Sequence, residues 1–309
     1  MAKYSSVISI NGELFSREDA KISVFDHGFL YGDGVFEGIR IYGDRIFRGM
    51  RNITRLFRSA KVIDLDIGCT LEEMIEEISR VARTWAERNQ VDLRAAEDPL
   101  YVRVVVSRGT GDLGLDPRKC PTATRIVIVD QLKLYPKELY ENGLTLITTA
   151  IKRNSPDSLP PQVKSLNYLN NVLAKLDANR QGAAEAIFLN HQGYIAEATA
   201  DNLFIVRDGI VTTPPVTDGA LPGITREAAL ELAGDLGIPN REAHITLAEL
   251  FTAEECFVTG TAARVVPVTT IDGRSIGTGK PGTVTQRLME AFIELTRHDG
   301  ICIYDSVYA

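Results

Sequence analysis

Cysteine and histidine are scarce in this sequence, and their spacing excludes several kinds of site. Cys69, Cys120, Cys256 and Cys302 lie too far apart to form the CxxC motif of a metal or redox site. The histidines show neither the HxxxH nor the HExxH spacing of zinc hydrolases. We therefore expect free thiols, as in a reducing compartment, and no metal centre.

Long apolar runs are also missing. No apolar stretch reaches the ~18 residues that a membrane span needs, and the N-terminal segment lacks the apolar core of a secretion signal. A net charge of −7 over 309 residues disfavours nucleic acid and anionic membranes as main partners, because both attract basic surfaces. The sequence therefore predicts a soluble cytoplasmic protein that is long enough for two domains.

Glycine-rich nucleotide motifs occur, but without the context that they require. The GxGxxG match at 109–114 follows a predicted strand, yet Pro117 and Pro121 prevent the helix that would receive a pyrophosphate. The match at 277–282 precedes a helix but has no βαβ unit after it, and Lys280 is followed by proline, unlike the lysine of a P-loop. A nicotinamide-dependent oxidoreductase is kept as a rival interpretation.

The first half of the chain combines β-like runs with two amphipathic helices. The helices are predicted over NITRLFRSAKVI and LEEMIEEISRVARTWAERN, where apolar residues recur at helical spacing. Strands are predicted at 6–10, 34–42, 44–47, 101–109 and 124–132. Pro136, in a stretch of mixed polarity, suits a link between domains. This pattern predicts a small α/β domain at 1–132 and a connector at 133–142.

The second half mixes antiparallel hairpins with separate helices. Strands are predicted at 143–151, within 185–213 and at 256–260, and helices at 165–182, 224–237 and 283–297. Such a mixture indicates α+β character in a larger domain at 143–309, not a regular βαβ series. The stretch at 298–309 fits no pattern.

Two charged residues stand in contexts that suit chemistry. Lys164 lies at a strand-to-helix edge, where its amine can face either a cleft or the solvent. Glu197 stands among Ile195, Ala196 and Ala198, so it lies either on an exposed hairpin or at a functional site. Pyridoxal phosphate requires such a carboxylate against its pyridine nitrogen.

Two further runs suit an anion. Ile224 and Thr225 begin a helix after a Pro-Gly pair, and a helix N-terminus offers free N–H groups to a phosphate or simply carries an N-cap. The run Gly260-Thr261-Ala262-Ala263 lies between two strand-like runs. Its small residues let backbone N–H groups approach an anion, or form an ordinary turn.

Taken together, these runs resemble the class IV, fold type IV pyridoxal-phosphate-dependent aminotransferases, and within them the branched-chain amino-acid aminotransferases. The resemblance covers nearly the whole chain, and its runs occur in the same order. They are FDHGFLYGDGVFEGIRIYGDRIF, RNITRLFRSA, YVRVVVSRGTGDLGLDP, VKSLNYLNNVLAK, IAEATADNLF, LPGITR, TGTAARVVPV and DGRSIGTGKPGTVTQRLMEAF. The resemblance implies two α/β domains with the cofactor at the domain interface.

The resemblance also implies roles for cofactor-binding residues. Lys164 would be the catalytic residue and would hold pyridoxal 5'-phosphate as an imine. Glu197 would pair with the pyridine nitrogen, and Tyr168 would lie near the phenolic oxygen. The residues implied for the phosphate are Arg55, Ile224, Thr225 and Thr261.

The substrate site implied by the resemblance has an apolar part and a cationic part. Tyr31, Phe36, Tyr101 and Leu115 would form the side-chain pocket, with Tyr31 and Leu115 supplied by the partner subunit of a homodimer. The groups implied for the substrate carboxylates are Arg40, Arg103 and the backbone amides of Thr261 and Ala262.

The implied reaction is transamination between branched-chain L-amino acids and 2-oxoglutarate. One departure concerns Asn52, which stands where the family often has histidine, so a supporting contact to the cofactor loop differs. The opening DHGFLYGDG is shared with D-amino-acid transaminases and aminodeoxychorismate lyases of the same fold, whereas the FEGIR run favours the branched-chain enzymes.

Overall fold

The computed structural model describes residues 4–96, 98–132 and 135–305. The chain divides into two compact units. The first comprises Met1–Leu132, Val163–Asn167 and Thr296–Ala309, and the second comprises Lys133–Gln162 and Tyr168–Leu295. These units differ from the predicted domains at 163–167 and 296–309, which join the first unit because both segments pair with its strands.

The described residues contain helices and strands in the following chain order. The elements up to residue 132 are β1 (Val7–Ile10), β2 (Glu13–Phe15), α1 (His27–Tyr31), β3 (Gly34–Tyr42), β4 (Arg45–Ile46), α2 (Gly49–Val62), α3 (Leu71–Asn89), β5 (Leu100–Ser107) and β6 (Thr124–Gln131). The later elements are α4 (Lys137–Asn142), β7 (Leu144–Thr148), α5 (Leu169–Arg180), β8 (Glu185–Leu189), β9 (Ile195–Ala198), β10 (Asn202–Arg207), β11 (Ile210–Thr213), α6 (Ile224–Asp235), β12 (Asn240–Glu242), α7 (Leu247–Phe251), β13 (Glu255–Gly260), β14 (Arg264–Ile271), β15 (Arg274–Ser275), α8 (Thr283–Leu295) and β16 (Ile301–Cys302).

The first unit is built on an antiparallel sheet with the strand order β16-β4-β3-β5-β6-β1-β2. Alternation along β5 buries Val102, Val104 and Val106 in a core that helices α2 and α3 complete. Successive side chains of a strand point to opposite faces, so Tyr101 and Arg103 lie on the other face of the sheet. The sheet thus separates a packed core from a face that carries polar and aromatic groups.

Helix α2 presents both apolar and polar side chains to the interior of the first unit. Ile53 and Leu56 are fully buried in the core, as their helical spacing predicts. Arg55 and Ser59, from the same helix, are also buried. Polar groups buried in this way need hydrogen-bond partners, and the partners of these two residues involve Glu37 and Lys164.

The second unit carries a larger, mixed sheet with the order β12-β11-β10-β13-β14-β7-β8-β9, and β15 pairs with β14. Three of its strand pairs are parallel: β11 with β12, β14 with β7, and β7 with β8. Both units are mixed α/β structures, as predicted from the sequence. The predicted connector forms helix α4 at Lys137–Asn142, while 133 and 134 lie outside the described residues.

One predicted helix begins later than its periodicity suggests. The prediction placed a helix at 165–182, whereas α5 spans Leu169–Arg180. The preceding segment is extended because the Leu166 N–H donates to the Gly34 carbonyl at 2.9 Å and Ser165 forms a bridge with Val35. Tertiary hydrogen bonds therefore take these residues out of the helix.

The stretch at 298–309 fits no sequence pattern; its described part supplies the edge strand of the first sheet, and 306–309 lie outside the described residues. Strand β16 pairs with β4, with Ile301 opposite Ile46. Ile303 is fully buried, and Arg48 makes a 3.0 Å ion pair with Asp299. Among the described residues no helix combines the length and apolarity of a membrane span.

Candidate active site

Lys164 is hydrogen-bonded through its backbone to strand β3 of the first unit. Its carbonyl accepts from the Phe36 N–H at 2.9 Å, and its own N–H donates to the Ser59 hydroxyl at 3.2 Å. The lysine is half-buried, and its Nζ lies 4.8 Å from the centroid of the Phe36 ring. The backbone is thus held at both sides while the amine remains accessible. Sequence reasoning predicted such a position without its partners.

Phe36 also brings Lys164 together with the predicted substrate residues. The guanidinium carbon of Arg103 lies 4.5 Å from the Phe36 centroid and 5.5 Å from the centroid of Tyr101. Burial raises the pKa of the Tyr101 phenol, although nearby Arg103 and Arg40 oppose that rise. This face of the sheet therefore offers an aromatic wall, a neutral phenol and a cation.

Gly38 makes room for the Tyr101 hydroxyl. A Cβ atom at position 38 would lie 2.4 Å from that oxygen, closer than atoms can approach. Arg40 is also buried here, with its guanidinium carbon 5.7 Å from the Tyr101 centroid. Its Nη1 donates to the Leu132 carbonyl at 2.8 Å, so part of its capacity for hydrogen bonding is taken by the backbone.

Arg55 has a carboxylate partner that sequence reasoning missed. Its Nε and Nη2 donate to the two oxygens of Glu37 at 2.7 and 2.8 Å, and Glu37 is fully buried. An acid inside a strand that is apolar apart from Arg40 is the signal that could have revealed this pair. Asn52, which stands where the family often has histidine, donates to the Phe47 and Arg48 carbonyls at 3.3 and 3.1 Å.

Tyr31 and Leu115 lie near each other through the loop at 109–116. The Tyr31 hydroxyl accepts from the Gly114 N–H at 3.0 Å, and Leu115 is 81% exposed. Gly109 has a φ of +95°, and a Cβ there would lie 1.9 Å from the Thr122 carbonyl oxygen. The first glycine match thus serves a tight loop, which is followed by a short 3-10 turn at Pro117–Lys119 and not by the α-helix that a nucleotide fold requires.

Glu197 is held by several hydrogen bonds in the second unit. Its Oε1 accepts from Arg153 Nε and Nη2 at 3.1 and 2.9 Å. Its Oε2 accepts from Asn202 Nδ2 at 3.2 Å and from the Leu221 N–H at 2.8 Å. The residue is buried, with 6% of its surface exposed. Such an acid is not on an exposed hairpin, and neither Arg153 nor Asn202 was singled out from the sequence.

Helix α6 begins without a side-chain cap. Its N-cap is Gly223, and a Cβ there would lie 2.0 Å from Asn202 Oδ1. Ile224 and Thr225, the first residues of the helix, are buried at 8% and 4% exposure. The sequence prediction of a helix start at Ile224 is confirmed, and the backbone N–H groups of this start remain suited to an anion.

The loop at 260–263 passes close to a second buried acid. A Cβ at Gly260 would lie 1.8 Å from Asp201 Oδ1, so only glycine fits there. Thr261 and Ala262 are half-buried, and the Ala263 carbonyl accepts from the Tyr140 hydroxyl at 3.1 Å. The predicted small-residue run is therefore a tightly supported turn.

Tyr168 immediately precedes helix α5, and its side chain is half-buried. Its carbonyl accepts from the Val172 N–H at 2.9 Å, which starts the first turn. The predicted contact of Tyr168 with a phenolic oxygen remains a prediction.

The second glycine match does not offer a phosphate site. Glu255 accepts at its two oxygens from the N–H groups of Val284 and Thr285 at 3.0 and 2.7 Å. A Cβ at Gly282 would lie 1.9 Å from the carboxyl carbon of Glu255. A carboxylate of the chain itself thus occupies this helix start, which removes the structural basis for a dinucleotide there.

Comparisons with known proteins show the family to which the chain is similar. The family model for class IV amino-transferases matches residues 34–271. A protein of Methanocaldococcus jannaschii, provisionally named branched-chain-amino-acid aminotransferase, is 47% identical over 96% of this chain and 99% of its own length.

Two solved structures are similar over nearly the whole chain. The branched-chain amino acid aminotransferase of Escherichia coli has a TM-score of 0.89 and 34% identity, covering 99% of this chain and 98% of its own. A branched-chain amino acid aminotransferase of T.th., complexed with N-(5'-phosphopyridoxyl)-L-glutamate, has a TM-score of 0.86 and 35% identity, covering 96% and 95%. These matches confirm the predicted fold class.

Proposed function

This chain belongs to the class IV aminotransferase family, and on that basis we propose that it transfers amino groups between branched-chain L-amino acids and 2-oxoglutarate with pyridoxal 5'-phosphate. The observation that carries the proposal is Lys164, whose backbone is fastened to β3 while its amine lies 4.8 Å from the Phe36 ring centroid. The relatives named as branched-chain enzymes support the substrate class.

The residues of the chain fit the proposed cofactor. Lys164 offers an amine to an aldehyde, and Glu197 offers a buried carboxylate to a ring nitrogen. Arg55 and the uncapped N–H groups of α6 suit the phosphate, together with Thr225 and the turn that contains Thr261. When bound, pyridoxal phosphate supplies an aldehyde carbon and a ring that accepts electrons.

Lys164 has the central role in proton movement. Its Nζ takes the proton from the α-carbon of the substrate and later returns a proton, so that one amine acts as base and then as acid. The hydrogen bonds of its backbone carbonyl and N–H limit the positions that Nζ can reach. Positioning of this kind lowers the entropy cost of the transfer.

The face that carries Phe36 suits two different substrates. The Phe36 ring provides apolar area for a branched side chain, and Arg103 provides a cation for the distal carboxylate of 2-oxoglutarate. The N-(5'-phosphopyridoxyl)-L-glutamate complex of the T.th. relative supports a glutamate-sized substrate. An enzyme that alternates between these substrates needs both kinds of group within one pocket.

A substrate panel tests the proposed reaction. Purified protein is assayed with L-valine, L-leucine, D-alanine and D-glutamate, each with 2-oxoglutarate, and we expect turnover with the two L-amino acids. A preference for the D-amino acids would show a D-amino-acid transaminase, and release of pyruvate from aminodeoxychorismate would show a lyase. A colourless protein that reduces or oxidises a nicotinamide would point to an oxidoreductase.

Substitution of Lys164 tests the site itself. Lys164→Ala should abolish turnover and the visible absorbance of the lysine-bound cofactor, because no other amine replaces Nζ. Lys137→Ala is the matched control, since Lys137 is exposed and pairs with Glu141 at 3.2 Å on helix α4. A Lys164→Ala protein that keeps both absorbance and turnover would remove Lys164 from the mechanism.

We infer further that the working unit is a homodimer with shared sites. Phe29, Leu113 and Leu115 expose 69%, 63% and 81% of their surface around Tyr31, which is unusual for large apolar side chains. If Tyr31 and Leu115 serve the partner's site, a mixture of Lys164→Ala and Tyr31→Ala/Leu115→Ala chains should regain activity. Failure of the mixed protein to exceed the two parents would show that each site is formed by one chain.

A further inference from the structure

Arg153 is a buried cation at the centre of a polar network in the second unit. It is 6% exposed, and its Nε and Nη2 donate to Glu197 Oε1 at 3.1 and 2.9 Å. Nε also lies 3.2 Å from the Gly219 carbonyl, and Nη1 donates to the Asn170 and Asn171 side-chain oxygens at 3.1 and 3.3 Å. Every nitrogen of the guanidinium therefore has a defined partner.

The donors to Glu197 differ in charge. Asn202 and the Leu221 N–H, which serve Oε2, are neutral, whereas Arg153, which serves Oε1, is cationic. A carboxylate accepts about four hydrogen bonds, so these donors satisfy its capacity. Of the contacts that hold Glu197, the one to Arg153 therefore supplies the compensating charge.

That charge determines where a shared proton resides. Burial alone favours a protonated, neutral carboxyl group, whereas a cation at hydrogen-bond distance favours the anion. An anion stabilised in this way is a weaker base. When a carboxylate and a pyridine nitrogen share one proton, a weaker carboxylate base leaves the proton on nitrogen. The ring then stays cationic and accepts electrons better.

We propose that Arg153 is a positioning residue whose charge, placed against Glu197, keeps the ring nitrogen of the bound cofactor protonated. This assignment rests on the proposed pairing of Glu197 with that nitrogen. It goes beyond the pairing because it names the residue that determines whether Glu197 or the ring nitrogen carries the shared proton.

The surroundings of Arg153 fix its orientation as well as its charge. The Phe188 ring lies 5.4 Å from its guanidinium carbon, and Asn171 is itself held by a 2.7 Å bond to the Thr199 carbonyl. A lysine carries its charge on one ammonium group and cannot reproduce the contacts that Nε, Nη1 and Nη2 make together. Charge and geometry can therefore be separated by substitution.

The test uses the reconstituted holoprotein and 15N-labelled pyridoxal phosphate. The 15N chemical shift of the ring nitrogen is compared with those of free cofactor standards in acid and alkali. We expect the protonated shift in the unmodified protein. In Arg153→Gln the shift should move by more than half of the interval towards the unprotonated standard, because Glu197 then lacks its compensating cation.

Two further variants control for folding and for geometry. Arg226→Gln also removes a buried arginine from an ion pair, since Arg226 is 5% exposed and lies 2.8 Å from the exposed Glu242, and the shift in this variant should stay protonated. Arg153→Lys keeps the charge and should stay protonated, with a higher dissociation constant for pyridoxal phosphate. If Arg153→Gln does not fold, an unprotonated shift in Arg153→Lys overturns the assignment and a protonated one supports it.

The outcomes separate this inference from the proposed function. A protonated shift in Arg153→Gln would overturn the role of Arg153 and leave Glu197 in place. An unprotonated shift in the unmodified protein would also overturn the role of Arg153, whereas the proposed function is tested separately by the substrate panel and by Lys164→Ala. An equal displacement in Arg226→Gln would show a general effect of lost buried charge and would also overturn the proposal.

Discussion

Glu37→Leu should destabilise the first unit strongly in the absence of cofactor. Both oxygens of Glu37 are bonded to Arg55, at 2.7 and 2.8 Å, and the acid is fully buried. Removal of one member of a buried ion pair costs about 3–5 kcal/mol, because the other charge is left without compensation. We expect a loss of this size in the free energy of unfolding.

The tryptophan of this protein provides an assay that reports on the first unit. Trp85 is the single tryptophan, and it is fully buried in the core of that unit. Its fluorescence during a urea titration follows the unfolding of its surroundings. With a urea slope of about 2 kcal/mol/M, the expected loss moves the midpoint by roughly 2 M.

Two comparisons make the result interpretable. Glu37→Met with Arg55→Leu should lie within about 1 kcal/mol of the unmodified protein, since an apolar pair often replaces a buried ion pair without loss. Added pyridoxal phosphate should reduce the defect of Glu37→Leu, because the phosphate compensates Arg55. A midpoint for Glu37→Leu that matches the unmodified protein, with and without cofactor, would refute this account of the pair.

Three other predictions concern the site and the second unit. Gly38→Ala should raise the KM, since its Cβ would lie 2.4 Å from the Tyr101 hydroxyl. Adding Tyr101→Phe to the same chain should restore most of the loss, as measured by steady-state kinetics. No restoration would contradict the steric explanation. Glu197→Gln should retain bound cofactor by absorbance but lose about 100- to 1000-fold in kcat, and unchanged kinetics would refute its role. The pKa of Glu249 is lowered by hydrogen bonds from Thr246, so its contribution to stability is complete above the ordinary glutamate pKa and is lost as the pH falls through the lowered value. Thermal denaturation between pH 3 and 7 should therefore show a smaller acid-side change in Glu249→Gln, and an identical pH profile would contradict the stabilising role of the hydrogen bonds between Glu249 and Thr246.

Local periodicity predicted those parts of the fold that local sequence controls. The predicted strand at 34–42 coincides with β3, and the two amphipathic patterns of the first half correspond to α2 and α3. The helix expected from 165 fails because Ser165 and Leu166 bond to residues far away in the chain. The short helix α1 was not predicted, since its five residues are too few for a periodic signal.

Only those site residues that lie within recognisable sequence runs could be predicted. Lys164 and Glu197 follow from runs that resemble a family, whereas their supporting partners come from distant positions. Glu37 and Arg55 are 18 positions apart, and Arg153 and Glu197 are 44 positions apart. No local pattern relates such positions, because strand register and helix packing determine which buried charges meet.

The return of the chain end to strand β4 has a consequence for synthesis on the ribosome. The first sheet acquires its edge strand β16 only after the residues of the second unit have been made. Until β16 has been synthesised, β4 therefore lacks a strand partner on one of its edges. A tag or truncation at the late end of the chain should thus disturb the portion that is translated first.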